Sequence, residues 1–159
     1  MSSIRTRTAG PTDLRGIITI QRAAIATTAG HYTPEEIAAW RAGPTDDLRA
    51  LVSAGRYRVA DQDGVLVGGA GWEEGADGLS ATIRAVFVHP AAHGRGVGAS
   101  LMGAIEAELA RRGIGRLIVP AALNAVGFHE RLGYVPVERQ VAEFSGVRLP
   151  CQRMLKAAA

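Results

Sequence analysis

The stretch that decides the fold reads Val86-Phe87-Val88-His89-Pro90-Ala91-Ala92-His93-Gly94-Arg95-Gly96-Val97-Gly98-Ala99. Its first three residues are apolar, as in a buried strand, and its last residues begin an apolar pattern with helical spacing. Between them three glycines alternate with larger residues, which uncovers several backbone N–H groups at the start of the helix. Because the helix dipole adds positive charge there, we expect the loop to bind a phosphate or a pyrophosphate. The alternative is a tight turn that only tolerates glycine, although such a turn needs a single glycine.

The residues outward from this loop predict a mixture of strands and helices. Strand patterns occupy residues 4–8, 57–59, 65–72, 79–88, 117–119, 134–141 and 147–154. Helical patterns follow residues 13, 33, 45, 96 and 122, and Thr33, Pro34 and Glu36 form a capping box at the second helix. A strand, a helix and a strand surround the glycine loop, and this crossover requires a parallel pair. We therefore predict an α/β (α+β) fold, with a mixed sheet covered by helices, in a single domain over residues 1–159.

The composition excludes several classes of protein. The chain has 159 residues, 47% of them hydrophobic, which is enough to bury a core without disulfides or a metal. Its one cysteine, Cys151, is interpreted as a small buried side chain. The net charge of +3 comes mainly from dispersed arginines and only 5% of residues are aromatic, so a nucleic-acid surface is not favoured. No stretch resembles a membrane span or a secretory leader, so we expect a cytoplasmic protein that binds no membrane.

The glycine loop alone leaves more than one phosphate ligand open. A P-loop requires a lysine after its last glycine, and the only lysine of this chain is Lys156, so hydrolysis of a nucleoside triphosphate is disfavoured. Residues 94–99 match the dinucleotide fingerprint in form. The acidic residue expected about 20 positions later is missing, and Arg116 lies in that region instead. An NADP-binding module therefore remains an alternative, with Arg116 facing the 2′-phosphate.

Two motifs, about 30 residues apart, resemble those of the GNAT superfamily of acetyl-CoA-dependent N-acetyltransferases. His93, Gly96 and Gly98 fill the family pattern Gln/Arg-x-x-Gly-x-Gly/Ala, with histidine at its first position. Residues 128–134, Phe-His-Glu-Arg-Leu-Gly-Tyr, resemble the second family motif, commonly Phe-Tyr-Glu-Lys-Leu-Gly-Phe. The two motifs occur in the family's order, and the resemblance covers nearly the whole chain.

The resemblance implies a mixed sheet of about seven strands, splayed in the middle, with helices on both faces. Acetyl-CoA would lie in the opening, its pantetheine against the backbone of the strand at residues 86–88. The expected cofactor-binding residues are Val86, Phe87, Val88, His93, Gly94, Arg95, Gly96, Val97, Gly98, Ala99 and Asn124. The family transfers the acetyl group directly to a primary amine in a ternary complex, here of a small molecule or a peptide. A homodimer is also left open, and no metal is expected.

The expected catalytic residues are His129 and Glu73. His129 stands where the family commonly has a tyrosine that protonates the departing thiolate, and an imidazole can donate a proton. Glu73, beside Glu74 in a polar connection, is the nearest carboxylate for a general base, because the strand at residues 79–88 contains none. The substrate is expected near the first helices, beside His31, Tyr32, Trp40 or Trp72. A regulatory CoA-binding module without catalysis is the second function left open.

Overall fold

The computed structural model describes residues 3–144 and 146–158, and within them the chain forms seven strands and five α-helices. The strands are β1 (Ile4–Thr8), β2 (Tyr57–Gln62), β3 (Val65–Glu74), β4 (Ser80–Val88), β5 (Arg116–Ala122), β6 (Val135–Phe144) and β7 (Val147–Ala157). The helices are α1 (Leu14–Ile25), α2 (Pro34–Ala42), α3 (Asp46–Ser53), α4 (Val97–Arg111) and α5 (Val126–Arg131). None of these helices is long and apolar enough to cross a membrane.

The strands form one mixed sheet in the order β1-β2-β3-β4-β5-β7-β6. Its only parallel pair within the described residues is β4 with β5, which α4 connects, as the crossover around the glycine loop predicted. This pairing is short, because it joins Ser80–Thr82 to 116–118 and then stops, although both strands continue. The sheet is therefore splayed between β4 and β5, as the family resemblance implied.

Helices cover both faces of the sheet, and alternate residues of β2 show how. Tyr57 and Val59 pack with residues of α1 and α3 on one face, whereas Ala60 packs with residues of α4 on the other. The second helix begins where its capping box predicted. The N–H of Glu36 donates to Thr33 Oγ1 at 3.1 Å, and the N–H of Thr33 donates to Glu36 Oε1 at 2.9 Å. The expected α/β fold with helices on both faces is confirmed.

The boundaries differ from the sequence prediction in two places that matter for the site. Glu73 and Glu74, expected in a loop, are the last residues of β3, where each pairs with a residue of β4. The helix expected from residue 122 begins as a 3₁₀ turn over Leu123–Ala125 and becomes α-helical only at Val126. Propensity did not distinguish a strand that ends in acidic residues from a polar loop.

A β-bulge interrupts β4 near its middle. Gly69 pairs with Phe87 and Gly71 pairs with Arg84, so two residues of β4, Ala85 and Val86, lie opposite the single residue Ala70. Ala85 has a φ of 54°, a left-handed backbone that is uncommon for a residue with a side chain. The bulge redirects β4 at the point where the strand runs beside the opening in the sheet.

Candidate active site

A cavity of about 570 Å³ lies along the opening between β4 and β5 and ends at the glycine loop. It brings together most of the residues expected to bind a cofactor. Lining residues from that expectation are Val86, Phe87, Val88, His93, Gly94, Gly96, Val97, Gly98, Ala99 and Asn124, and His129 lines it as well. Arg95 is the exception, because its exposed guanidinium donates to Gln62 Oε1 at 3.0 Å and does not line the cavity.

The glycine loop presents free backbone donors to this cavity. Gly94 and Gly96 have φ values of 78° and 79°, so the loop depends on a backbone conformation that glycine adopts without strain. The first bond of α4 runs from the Ser100 N–H to the Gly96 carbonyl at 3.0 Å. Over the described chain, no carbonyl or side chain accepts from the N–H groups of residues 97–99. Three donors at a helix N-terminus are thus available to an anion.

The first helical turn fits closely against α5. A Cβ added to Gly98 would lie 2.8 Å from two ring atoms of Phe128, which itself lines the cavity. The absence of a side chain at Gly98 therefore allows α4 and α5 to approach each other. His93 fixes the other side of the loop, because its Nε2 forms a 3.1 Å hydrogen bond with the Val88 carbonyl. The imidazole of His93 thus anchors the loop to β4, and because His93 also lines the cavity its contact with the ligand stays a prediction.

His129 lies at the bottom of the cavity and is only 2% exposed. Its ring packs edge-on against Phe128 and Tyr134, with centroids 4.9 and 5.6 Å away. Burial lowers the pKa of His129 to about 4, because a charged imidazolium loses its hydration there. Nδ1 is buried and has no hydrogen-bond partner among the residues that the structure describes, so Nε2 is the ring nitrogen left to meet the cavity. At neutral pH the ring is therefore neutral and offers at most one N–H as a donor.

Lys156, the only lysine in the sequence, forms hydrogen bonds that fix the residues packed around His129. Lys156 Nζ donates to Glu106 Oε1 at 2.9 Å and to the Leu132 carbonyl at 2.7 Å. The Tyr134 hydroxyl donates to the other oxygen of Glu106 at 2.7 Å. Tyr134 is buried in the core, as its sequence position suggested, and its ring is fixed where it contacts His129.

A second, smaller cleft of about 30 Å³ opens beyond β4. Its polar and charged lining residues are Gln21, Asp47, Arg84 and Glu143, and its remaining ones are Trp40, Leu48, Leu51, Ala85, Phe87 and Phe144. Trp40 and Phe87 also line the first cavity, so they form a wall common to both spaces. Asp47 and Glu143 could not be paired from the sequence, because they are 96 positions apart along the chain.

Glu73 lines neither cavity. It accepts a hydrogen bond from Arg84 Nη1 at 3.0 Å, so it lies behind a residue of the second cleft. Glu74 is directed elsewhere, because it pairs with Arg56 and Arg112, whose guanidinium groups lie about 6 Å above the ring of Trp72. The structure thus brings His129 to the cavity and leaves Glu73 one residue away from the nearest cleft.

Of the four aromatic or histidine residues expected near the substrate, Trp40 alone lines a cavity. His31 is exposed, and Trp72 is buried in the core. The Tyr32 hydroxyl donates to the Pro150 carbonyl at 2.7 Å and accepts from the Leu123 N–H at 3.0 Å. Cys151 is fully buried, and burial raises the pKa of its thiol, as expected for a side chain that packs and does not react.

Comparison with known proteins identifies this arrangement. The family model described as an acetyltransferase (GNAT) domain matches residues 28–155. The GCN5-related N-acetyltransferase from Rhodopseudomonas palustris is 31% identical, with a TM-score of 0.82 over 99% of this chain and 97% of that one. No curated protein matches the sequence significantly.

Two more distant structures share the fold. YncA from Salmonella typhimurium, solved with acetyl-CoA, is 24% identical with a TM-score of 0.71 over 98% of this chain and 94% of that one. The PaiA N-acetyltransferase from Thermoplasma acidophilum, solved with coenzyme A, is 20% identical with a TM-score of 0.77 over 98% of this chain and 99% of that one. The match of the family model over most of the sequence shows that the chain belongs to the GNAT acetyltransferase family.

Proposed function

We propose that the protein transfers an acetyl group from acetyl-CoA directly to a primary amine in a ternary complex. The observation that carries this proposal is the cavity between β4 and β5, which ends at the three free N–H groups of residues 97–99. A cavity of about 570 Å³ is of the size that small-molecule and cofactor sites usually have. Its position, from the β4 edge that β5 leaves unpaired among the described residues to the glycine loop, suits a linear ligand with a diphosphate at one end.

The residues present fit acetyl-CoA at three points. The N–H groups of residues 97–99 would hold the diphosphate, with the helix dipole favouring its negative charge. The edge of β4 at Val86–Val88, where the described part of the chain provides no strand partner on the β5 side, would pair with the amides of the pantetheine. Asn124, on the opposite wall of the cavity, is placed to contact the same arm of the ligand.

The chemistry requires attack of a neutral amine on the thioester carbonyl, cleavage of the C–S bond and protonation of the sulfur. A backbone N–H near Val88 would polarise the carbonyl. His129 is proposed to act on the sulfur. With a pKa of about 4 its imidazolium is scarce at neutral pH, so we assign its Nε2–H as a hydrogen-bond donor to the thiolate. The proton that finally reaches the sulfur would then come from the ammonium formed when the amine attacks.

We propose that the amine enters through the second cleft, because Trp40 and Phe87 separate that cleft from the cavity by a single layer of side chains. Glu73 stays our prediction for the base that takes one proton from the incoming ammonium to give the neutral amine, although its carboxylate would receive that proton only through water, because the Arg84 guanidinium between them stays protonated. Asp47 and Glu143 line the cleft itself and are better placed. Because Glu73 already balances Arg84, these two carboxylates leave the cleft negative, which favours small molecules or peptides with a second positive charge.

A thermal-shift measurement tests the binding step. Acetyl-CoA at about 100 times its Kd should stabilise the fold by about 2.7 kcal/mol and raise Tm by several degrees. Gly96→Glu should remove this shift, because a side chain at a φ of 79° strains the loop and its charge repels a diphosphate. Gly103→Glu is the matched control, since Gly103 lies on the same helix in open space and away from the cavity. Absence of any shift at millimolar acetyl-CoA would contradict the proposal.

Release of free CoA thiol across a panel of mono- and diamines tests the transfer step. We expect turnover, with diamines preferred over neutral analogues. A thermal shift without any thiol release would instead support the regulatory CoA-binding module, and competition by NADPH would support the dinucleotide alternative. A single domain over residues 1–159, a cytoplasmic location and a homodimer remain further proposals, which fractionation and the mass of the protein in solution would test.

A further inference from the structure

The glycine-rich run of β3 has a specific partner. Residues 68–71 read Gly-Gly-Ala-Gly, a composition that weakens a strand unless something packs closely against it. A Cβ on Gly69 would lie 2.5 Å from Cε1 of Tyr57, and a Cβ on Gly71 would lie 2.8 Å from its Cδ2. The ring of Tyr57 therefore lies flat on the strand in the space that side chains at these two positions would fill.

This ring brings a hydroxyl to the bulge of β4. Tyr57 is 1% exposed, and its hydroxyl donates to the carbonyl of Ala85 at 3.0 Å. Ala85 is the residue with the left-handed backbone, and it shares the unpaired step of the bulge with Val86. Burial raises the pKa of Tyr57 far above neutrality, so the hydroxyl stays protonated and remains a donor. One buried hydrogen bond thus holds the carbonyl of a strained residue.

The bulge is also the point along β4 where the residues stop lining the second cleft and begin to line the cavity. Arg84 and Ala85 line the second cleft, whereas Val86 and Val88 line the cavity, and Phe87 lines both. The direction of the peptide groups after Ala85 therefore depends on the left-handed turn at that residue. These peptide groups are the ones that our proposed function places against the pantetheine and the thioester.

We propose that Tyr57 is a positioning residue for acetyl transfer, because it holds the bulge at Ala85 and so aims the backbone N–H groups of Val86 and Val88, which face away from β3. This inference rests on the proposed function for its effect on turnover. Tyr57 touches neither cavity, so its contribution would pass entirely through the backbone of β4. Gly69 and Gly71 contribute to the same positioning, since the lack of side chains at these positions makes room for the Tyr57 ring.

Tyr57→Phe keeps the ring and removes the donor. We expect kcat to fall about fivefold to tenfold, the effect of losing about one hydrogen bond, with a smaller rise in KM for acetyl-CoA, because the pantetheine contacts shift but the glycine loop that holds the diphosphate is untouched. The acceptor is the best amine from the panel described above. Ser80→Ala is the matched control. Ser80 is also on β4 but far from the bulge, and the substitution removes the hydrogen bond that its hydroxyl donates to Asp77. We expect it to leave kcat within about twofold.

A rescue experiment separates this role from a general loss of stability. Ala85→Gly relieves the left-handed strain, so Tyr57→Phe should cost less than about twofold in kcat when introduced into Ala85→Gly. An unchanged kcat in Tyr57→Phe, or an equal loss in both backgrounds, would overturn the inference. If Tyr57→Phe is too unstable to assay, kcat of the double variant can still be compared with kcat of Ala85→Gly. A difference of fivefold or more between these two values of kcat would also overturn the inference.

Amide hydrogen exchange at residues 85–88 tests the same inference without turnover. We expect exchange to be at least about fivefold faster in Tyr57→Phe than in the wild type, and unchanged in Ser80→Ala. Wild-type protein that acetylates no amine would contradict the proposed function, and the exchange rates would still report whether Tyr57 holds the bulge. Equal exchange in Tyr57→Phe and the wild type would refute the role of Tyr57 whatever the activity.

Discussion

Replacement of His129 by glutamine should change how the stability of the protein depends on pH. The ring is buried at the bottom of the cavity, and burial lowers its pKa from 6.5 to about 4. As the pH falls below 6.5, an unfolded chain takes up a proton on this residue, whereas the folded protein does not until about pH 4. Stability is therefore complete above pH 6.5 and is lost progressively as the pH falls toward 4.

The size of the effect follows from these two pKa values. The full difference between them corresponds to about 3 kcal/mol of unfolding free energy, and about 2 kcal/mol of it is lost between pH 7 and pH 5. Carboxyl groups whose pKa is lowered by hydrogen bonds, such as Asp13 beside Arg7, also lose stabilisation in acid. These groups act equally in the wild type and the variant, so their contribution cancels when the two are compared.

Urea unfolding of both proteins at pH 7 and pH 5 measures the difference. We expect His129→Gln to lose about 2 kcal/mol less than the wild type over this interval, and His31→Gln, on the surface, to behave like the wild type. The reasoning would be refuted by equal losses within about 0.5 kcal/mol. It would also be refuted by an NMR titration in which the His129 ring takes up its proton near pH 6.5.

Three further substitutions test packing and capping. Gly98→Ala should weaken acetyl-CoA binding about tenfold by calorimetry, because the added methyl would meet Phe128 at 2.8 Å and displace the wall of the cavity. Gly103→Ala, in the same helix with nothing within 4 Å, should leave binding unchanged and raise stability by up to about 1 kcal/mol in urea unfolding. Thr33→Ala, which removes the acceptor of the Glu36 N–H, should cost about 1 kcal/mol and lower Tm by a few degrees in calorimetry.

The parts of the structure that the sequence predicts are those set by neighbouring residues. The glycine loop is visible because residues 94–98 combine permissive backbone with the start of an apolar helix. The capping box at Thr33 is visible because its two partners lie three positions apart, and both of its hydrogen bonds are present. The parallel pairing of the two strands around the loop follows from the crossover that connects them.

The parts that the sequence does not predict depend on residues far apart along the chain. The contact between Tyr57 and Ala85 spans 28 positions, and no pattern in β2 or β4 marks a bulge. The second cleft is lined by Asp47 of α3 and Glu143 of β6, two elements that lie far apart along the chain. A histidine in place of a tyrosine suggested an acid, but burial, which lowers its pKa, is known only from the packed core.

The short ladder between β4 and β5 divides the sheet into two halves joined by three residues of each strand. Such a seam is the line along which a sheet opens first under heat or force, because few hydrogen bonds must break together. Acetyl-CoA bound in the gap would contact both halves of the sheet. Each release of CoA would leave the two halves without this contact. The time for which the protein stays folded during turnover would then depend on how soon the next acetyl-CoA molecule binds.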